Sequence, residues 1–112
     1  MPAQDPSYTV NSIIYNVTIK VDSSIAEAWL PWLLNNHIPQ VMATGCFGGY
    51  KVVRLLETED TEGPTYAVQY FANDLVEYGR YIREHAAALR QDSLNRWGNN
   101  FIAFRSVMQQ IA

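Results

Sequence analysis

Between Ser12 and Val21 the chain alternates strictly, with Ile13, Tyr15, Val17, Ile19 and Val21 on one side and Ile14, Asn16, Thr18 and Lys20 on the other. A period of two marks a strand, and here one side is fully apolar while the other is mixed. The pattern then changes at once. Asp22-Ser23-Ser24 offers helix N-caps, and Ser24 with Glu27 makes a capping box. Trp29, Leu30, Trp32, Leu33 and Leu34 follow, an apolar load broader than one stripe, so this helix is expected to pack on two sides. Pro31 should strain it, because proline removes an internal hydrogen bond.

The next constraint is Asn35 to Gly45. Pro39 has no backbone N–H and biases Ile38 away from helical geometry, so the helix is expected to break at His37 to Pro39. A short helical turn can restart with Pro39 in its first position and end at Gly45. His37 would then lie at a corner, suited either to chemistry or to tying off loose helix carbonyls.

Tyr50 to Glu57 reads as a second strand and Thr65 to Ala72 as a third, joined by the acidic turn Thr58 to Pro64. That turn lacks the ligand spacing of a calcium loop, and its acidity is read as solubility. Asp74 with Glu77 opens a second helical region, in which Leu75, Tyr78, Ile82, Ala86 and Leu89 trace a stripe that continues through Leu94 to Trp97. Gly98 closes it, and Phe101 to Met108 makes a last strand.

The order strand, helix, strand, strand, helix, strand is the split βαβ arrangement of ferredoxin-like α+β domains. Right-handed crossovers put the first and third strands in the centre of a four-stranded antiparallel sheet. Two helices cover only one face of such a sheet. The last strand is nevertheless apolar on both, with Ile102, Phe104 and Met108 against Phe101, Ala103 and Val107. A second copy is the simplest cover, which predicts a homodimer closing into a dimeric α+β barrel. Residues 1–11 carry Pro2, Asp5, Pro6 and Ser7 without periodicity and are read as a flexible arm, leaving 12–112 as one domain.

Composition narrows the function classes. A net charge of −3 without a cluster of Lys and Arg disfavours nucleic acid and anionic membranes as partners. There is no apolar run long enough to span a bilayer and no signal-peptide pattern at the start. The single cysteine, Cys46, excludes an internal disulfide and fits a reducing, cytoplasmic setting. With only two histidines, no zinc-type spacing exists, so no metal site is expected. Gly48-Gly49 lacks the spacing of a nucleotide-binding loop, and neither histidine has a clear carboxylate partner in sequence to support haem; no cofactor is expected.

Several segments together resemble a small bacterial family of unknown function with the dimeric α/β-barrel fold. They are Ile14-Tyr15-Asn16-Val17-Thr18, His37-Ile38-Pro39 with Thr44-Gly45, Tyr66-Ala67-Val68-Gln69-Tyr70, Leu89-Arg90, Arg96-Trp97-Gly98 and Ala103-Phe104-Arg105. They run through nearly everything after the arm. Pro31 and Trp97 depart from the family's commoner Lys and Phe. The resemblance implies the fold and carries no established activity.

Such a fold offers two cavities, one between sheet and helices and one at the dimer seam. His37, Tyr66, Tyr70 and His85 are the candidate catalytic groups, and Arg54, Gln69, Arg90 and Arg105 the candidate ligand-binding ones. Arg54 and Arg105 sit inside strands where alternation asks for burial, so each needs a carboxylate or a bound anion. Three readings follow. One is a homodimeric domain that binds a small, partly apolar anion. Another is a cofactor-independent oxygenase or isomerase with His37 as general base and a tyrosine as hydrogen-bond donor. The third is a purely structural dimerisation module. Sequence leaves open whether the protein is an enzyme.

Overall fold

The structure is a computed structural model that describes residues 12–112; the predicted arm over 1–11 lies outside the described residues. Strand β1 (Ile13–Val21) leads into helix α1 (Ser23–Trp32), a π-helical turn (Leu33–His37) and helix α2 (Ile38–Ala43). Strands β2 (Gly49–Arg54) and β3 (Thr65–Ala72) form the hairpin. Helix α3 (Leu75–Tyr81), a second π-helical turn (Ile82–Ala86), helix α4 (Ala87–Trp97) and strand β4 (Phe101–Gln109) complete the chain. All strand pairs are antiparallel and their order is β2-β3-β1-β4, with the first and third strands central as expected.

Every second residue of β1 is buried. On that side Tyr15, Val17 and Ile19 lie opposite Tyr70, Val68 and Tyr66 of β3, and opposite Val107, Arg105 and Ala103 of β4. These positions meet Trp29, Trp32, Leu33, Ile38 and Val41 from the helices in one apolar core. On the other side β3 buries Ala67 and Phe71, whereas Ile102, Phe104 and Met108 of β4 and Val53 of β2 stand exposed. Among the described residues no helix is long and apolar enough to cross a membrane.

The expected helix break at His37 to Pro39 does not occur. His37 (φ −72°, ψ −53°) and Ile38 (φ −59°, ψ −45°) are both helical, and the Ile38 N–H donates to Leu33 O, five residues back. A proline ring normally crowds the carbonyl one α-turn before it, and its nitrogen cannot donate; a π-turn just ahead of Pro39 widens the backbone and takes up both effects. His37 consequently makes no side-chain cap bond. At the start of α1, Asp22 rather than Ser24 is the cap, accepting from the Ser24 N–H at 2.9 Å and from the Ser24 hydroxyl. Asp74 caps α3 as read, accepting from the Glu77 N–H at 2.9 Å.

The second helical stripe holds in part, with Tyr78, Leu89 and Trp97 packed against the core as expected. Tyr81 and Ala86 are buried, while Leu75 and Ile82, read as core-facing, are exposed. The π-turn brings Tyr81 and Ala86, five residues apart, onto one face, a spacing that a 3.6-residue count does not give. Strand β2 stops at Arg54, short of the expected Glu57, and Glu57 itself takes a left-handed φ of 57° that no strand accommodates.

The acidic hairpin turn does more than hold solvent. Its returning arm is tied to the end of β1, with Val21 N–H donating to Pro64 O at 2.9 Å and Ser23 N–H to Glu62 O at 2.8 Å. Gly63 sits in that approach at φ 137°, where a Cβ would lie 1.8 Å from Val21 O; only glycine fits.

Candidate functional site

The helices close tightly over β1 and β3 but leave space toward β4, and a cavity of about 310 Å³ opens there. Tyr15, Val17, Val68, Tyr70, Ala103 and Arg105 form its sheet side. Trp29, Trp32, Leu33 and His37 come from α1 and its π-turn, and Tyr81, Leu89, Arg90 and Ser93 from the second helical region. The volume lies at the lower end of small-molecule pockets, roughly 300–1,000 Å³. Among the described residues no Asp or Glu lines it.

Each polar group has a definite setting. Arg90 reaches from α4 to the sheet, where its Nη2 donates to the Tyr15 hydroxyl at 3.0 Å, while its Nε is buried without a hydrogen-bond partner among the described residues. Tyr15 lies in a ring cluster with Phe47, Tyr70, Tyr78 and Tyr81 at centroid separations of 5.6 to 6.2 Å. Burial pushes the Tyr70 and Tyr81 hydroxyls well above the ordinary phenol range, so both remain neutral donors. Arg105 has an exposed side chain at the cavity and no ion pair among the described residues.

His37 is placed by the π-turn, with its ring stacked on Trp32 at 5.0 Å between centroids. Its Nδ1 is buried without a partner among the described residues. Desolvation holds its pKa below the usual 6.5, Asp92 opposes that shift, and the Arg105 charge adds to it. The ring is therefore a neutral imidazole at neutral pH, able to accept a proton or a hydrogen bond.

The structure thus brings together His37, Tyr70, Arg90 and Arg105. It does not bring the other four candidates to the cavity lining. Tyr66 shares the inner face but is stacked against Trp29 at 5.6 Å. His85 lies beside Tyr81 at 6.4 Å, within the second π-turn. Gln69 is on the opposite sheet face, paired with Asn16. Arg54, at the end of edge strand β2, makes an exposed ion pair with Asp60 at 3.1 Å; the burial expected of Arg54 and Arg105 does not occur, because β2 and β4 are the sheet's edge strands and both side chains reach solvent. Tyr15 and Trp32 were not singled out from sequence. Tyr15 stood in the buried phase of β1, but nothing in the chain's local pattern joins it to Arg90, 75 residues away. Among the described residues no group of three or more His, Cys, Asp or Glu could hold a metal ion.

The four-stranded βαββαβ sheet with helices on one face places the protein among the ferredoxin-like α+β folds. A dimeric ferredoxin-like protein from an uncultured marine organism superposes with a TM-score of 0.66 at 10% identity, over 91% of this chain and 97% of that one. An ethyl tert-butyl ether D (EthD) family protein from Bacillus halodurans C-125 gives 0.63 at 12% identity, over 84% and 96%. A monooxygenase from the ActVA-Orf6 gene of Streptomyces coelicolor, in complex with the ligand nanaomycin D, gives 0.58 at 12% identity, over 96% and 92%. At such identities the likeness is one of fold. The chain belongs to the family described as Domain of unknown function (DUF4286), which matches residues 12–111. No curated protein matches it.

Proposed function

We propose that this protein is a homodimeric domain that binds a small, partly apolar anion in the sheet–helix cavity. One observation carries the reading: two guanidinium groups, Arg90 and Arg105, face an otherwise largely aromatic and aliphatic space that contains no carboxylate from the described residues. Arg90 is half-buried, and a guanidinium so placed without a counter-charge is stabilised by an anion that occupies its free donors; Arg105, exposed at the same cavity, adds a second positive charge there. Homodimerisation rests on the exposed Ile102, Phe104 and Met108 of β4, and on the neighbour described as a dimeric ferredoxin-like protein. The single buried thiol, Cys46, fits a reducing cytoplasm.

Trp29 and Trp32 line the cavity and report on its occupancy. Titration with hexanoate, cyclohexanecarboxylate and benzoate at millimolar concentrations should give saturable changes in tryptophan emission that disappear in the Arg90→Met/Arg105→Met double variant. Saturable binding that survives the double variant would remove the electrostatic basis of the reading.

A second reading is supported by His37. A neutral imidazole with an unpartnered buried nitrogen at a ligand cavity suits a general base, and one structural neighbour is described as a monooxygenase. Under this reading the protein is a cofactor-independent oxygenase or isomerase, and His37→Gln abolishes turnover while leaving anion binding intact. If no small carboxylate binds and the protein is nevertheless dimeric, the structural dimerisation module is the better description.

A further inference from the structure

We propose that the cavity takes a hydroxylated aromatic carboxylic acid, bound with its carboxylate on Arg90 and Arg105 and its hydroxyl on the His37 imidazole. The inference rests on the anion-binding reading above and narrows it to a ligand class and an orientation.

Three features of the lining carry it. The first is the kind of apolar surface. Rings come from opposite sides, with Tyr15 and Tyr70 on the sheet and Trp29, Trp32 and Tyr81 on the helices. Ring faces and edges favour a flat π-system over a flexible chain, because stacked and edge contacts add to what area burial alone contributes. An aliphatic tail also loses rotamer freedom on entering, which a rigid ring does not.

The second feature is the number and state of the cationic donors. One N–H of Arg90 is committed to the Tyr15 hydroxyl, which holds the guanidinium plane against the sheet, and its buried Nε–H remains unpaired. Arg105 adds an unpaired fork at the open side of the cavity. Two planar forks suit a planar carboxylate, which accepts in-plane bonds on both oxygens. The free acid group therefore stays near the opening, where Arg105 is exposed, and the ring lies inward.

The third feature separates a hydroxylated ring from a plain one. His37 places its imidazole, whose Nδ1 is buried without a hydrogen-bond partner among the described residues, in a wall otherwise made by Trp29, Trp32 and Leu33. A wholly apolar ligand would leave it unsatisfied, and buried polar atoms in folded proteins are rarely left so. A neutral imidazole nitrogen accepts from a phenolic O–H, or donates to it in the other tautomer. Either way the partner is a hydroxyl on the ring. Ser93 and the Tyr70 hydroxyl supply further adaptable polar contacts on the same lining.

The test is a matched set of probes on the full chain, followed by tryptophan fluorescence and checked by calorimetry: 6-hydroxy-2-naphthoate, 2-naphthoate, 2-naphthol and decanoate. The hydroxynaphthoate should bind most tightly, with 2-naphthoate about tenfold weaker for the loss of one hydrogen bond to a buried group. Arg105→Met and Arg90→Lys should each weaken both naphthoates and leave 2-naphthol unchanged. His37→Phe should remove the preference for the hydroxynaphthoate while leaving 2-naphthoate affinity intact; His37→Asn, which keeps a polar group, should retain part of it. Thermal melts identify any variant that fails to fold, and the wild-type ranking of the four probes tests the inference without any variant. Decanoate binding as tightly as the naphthoates would overturn the aromatic class but leave the anion reading standing. Equal affinity for 2-naphthol and the naphthoates would overturn both. An unchanged hydroxyl preference in folded His37→Phe would overturn the orientation.

Discussion

The two faces of the sheet are made by alternate residues of the same strands, yet they do different work. On the inner face, Tyr15, Val17 and Val68 are packed beneath helices and enclose a cavity with two arginines at one side. On the outer face, Phe104 remains 65% and Ile102 57% exposed, beside polar Asn16, Thr18 and Gln69. Hydrophobicity alone does not tell these faces apart. The setting of the charged groups does: half-buried Arg90 and exposed Arg105 lie at the cavity on the covered side, which no carboxylate from the described residues lines, whereas the outer face sets its apolar side chains among neutral polar ones and the lysines Lys20 and Lys51, the first paired with Glu62. The inner face has the chemistry of a pocket, the outer face that of a contact surface.

The comparison breaks most easily in the core. Leu33 is 1% exposed and also lines the cavity, and Leu33→Ala should cost about 2–5 kcal/mol in urea unfolding through lost burial and an enlarged void. A loss well below 1 kcal/mol would mean that the inner face is not the core. On the outer face the double variant Ile102→Asp/Phe104→Asp should weaken self-association by roughly a hundredfold, as central interface residues do, with the folded monomer retained. Sedimentation at micromolar protein should then fall from twice the chain mass to the single-chain mass. A wild type that sediments as one chain would leave the outer face without the role given to it.

A smaller effect comes from pH. His37 has a folded-state pKa below its unfolded value of about 6.5, so between these two values the unfolded chain binds more protons. Its contribution is fully present above the unfolded pKa and is lost as pH falls through the folded one. Wild type should therefore lose stability on acidification below pH 6.5 more steeply than His37→Phe, measured as the urea midpoint against pH. Parallel curves would mean that burial of this imidazole does not disfavour its charged form. Smallest of all should be Arg105→Met, which removes an exposed, unpaired side chain and should shift unfolding by less than about 0.5 kcal/mol. Combined with lost anion binding, that would separate the site's chemistry from the stability of its scaffold.

Much of the fold was legible because strands and helices write their own periods. The alternation of Ile13 to Val21, the cap at Asp74 and the glycines at 45 and 98 each act over a few residues, and each appears where local chemistry puts it. The expected break at Pro39 did not follow, since it assumed that a helix must either keep α geometry or end. The π-turn is a third solution, and its consequences reached beyond the proline: it placed the imidazole against Trp32, and its counterpart at Ile82–Ala86 set Tyr81 rather than Ile82 on the buried face with Ala86.

By itself the sequence determined the element order, the sheet topology and which residues share a sheet face, because these follow from side-chain period, turn residues and the handedness of crossovers. Only the tertiary structure decided which candidates meet. Arg54 found Asp60 across a six-residue separation, whereas Arg90 crossed from helix to sheet to reach Tyr15 and, with Arg105, came to a space free of carboxylates from the described residues. The physical reason is range: period and capping act between neighbours in the chain, while pairing, desolvation and the shape of a cavity depend on how whole elements pack.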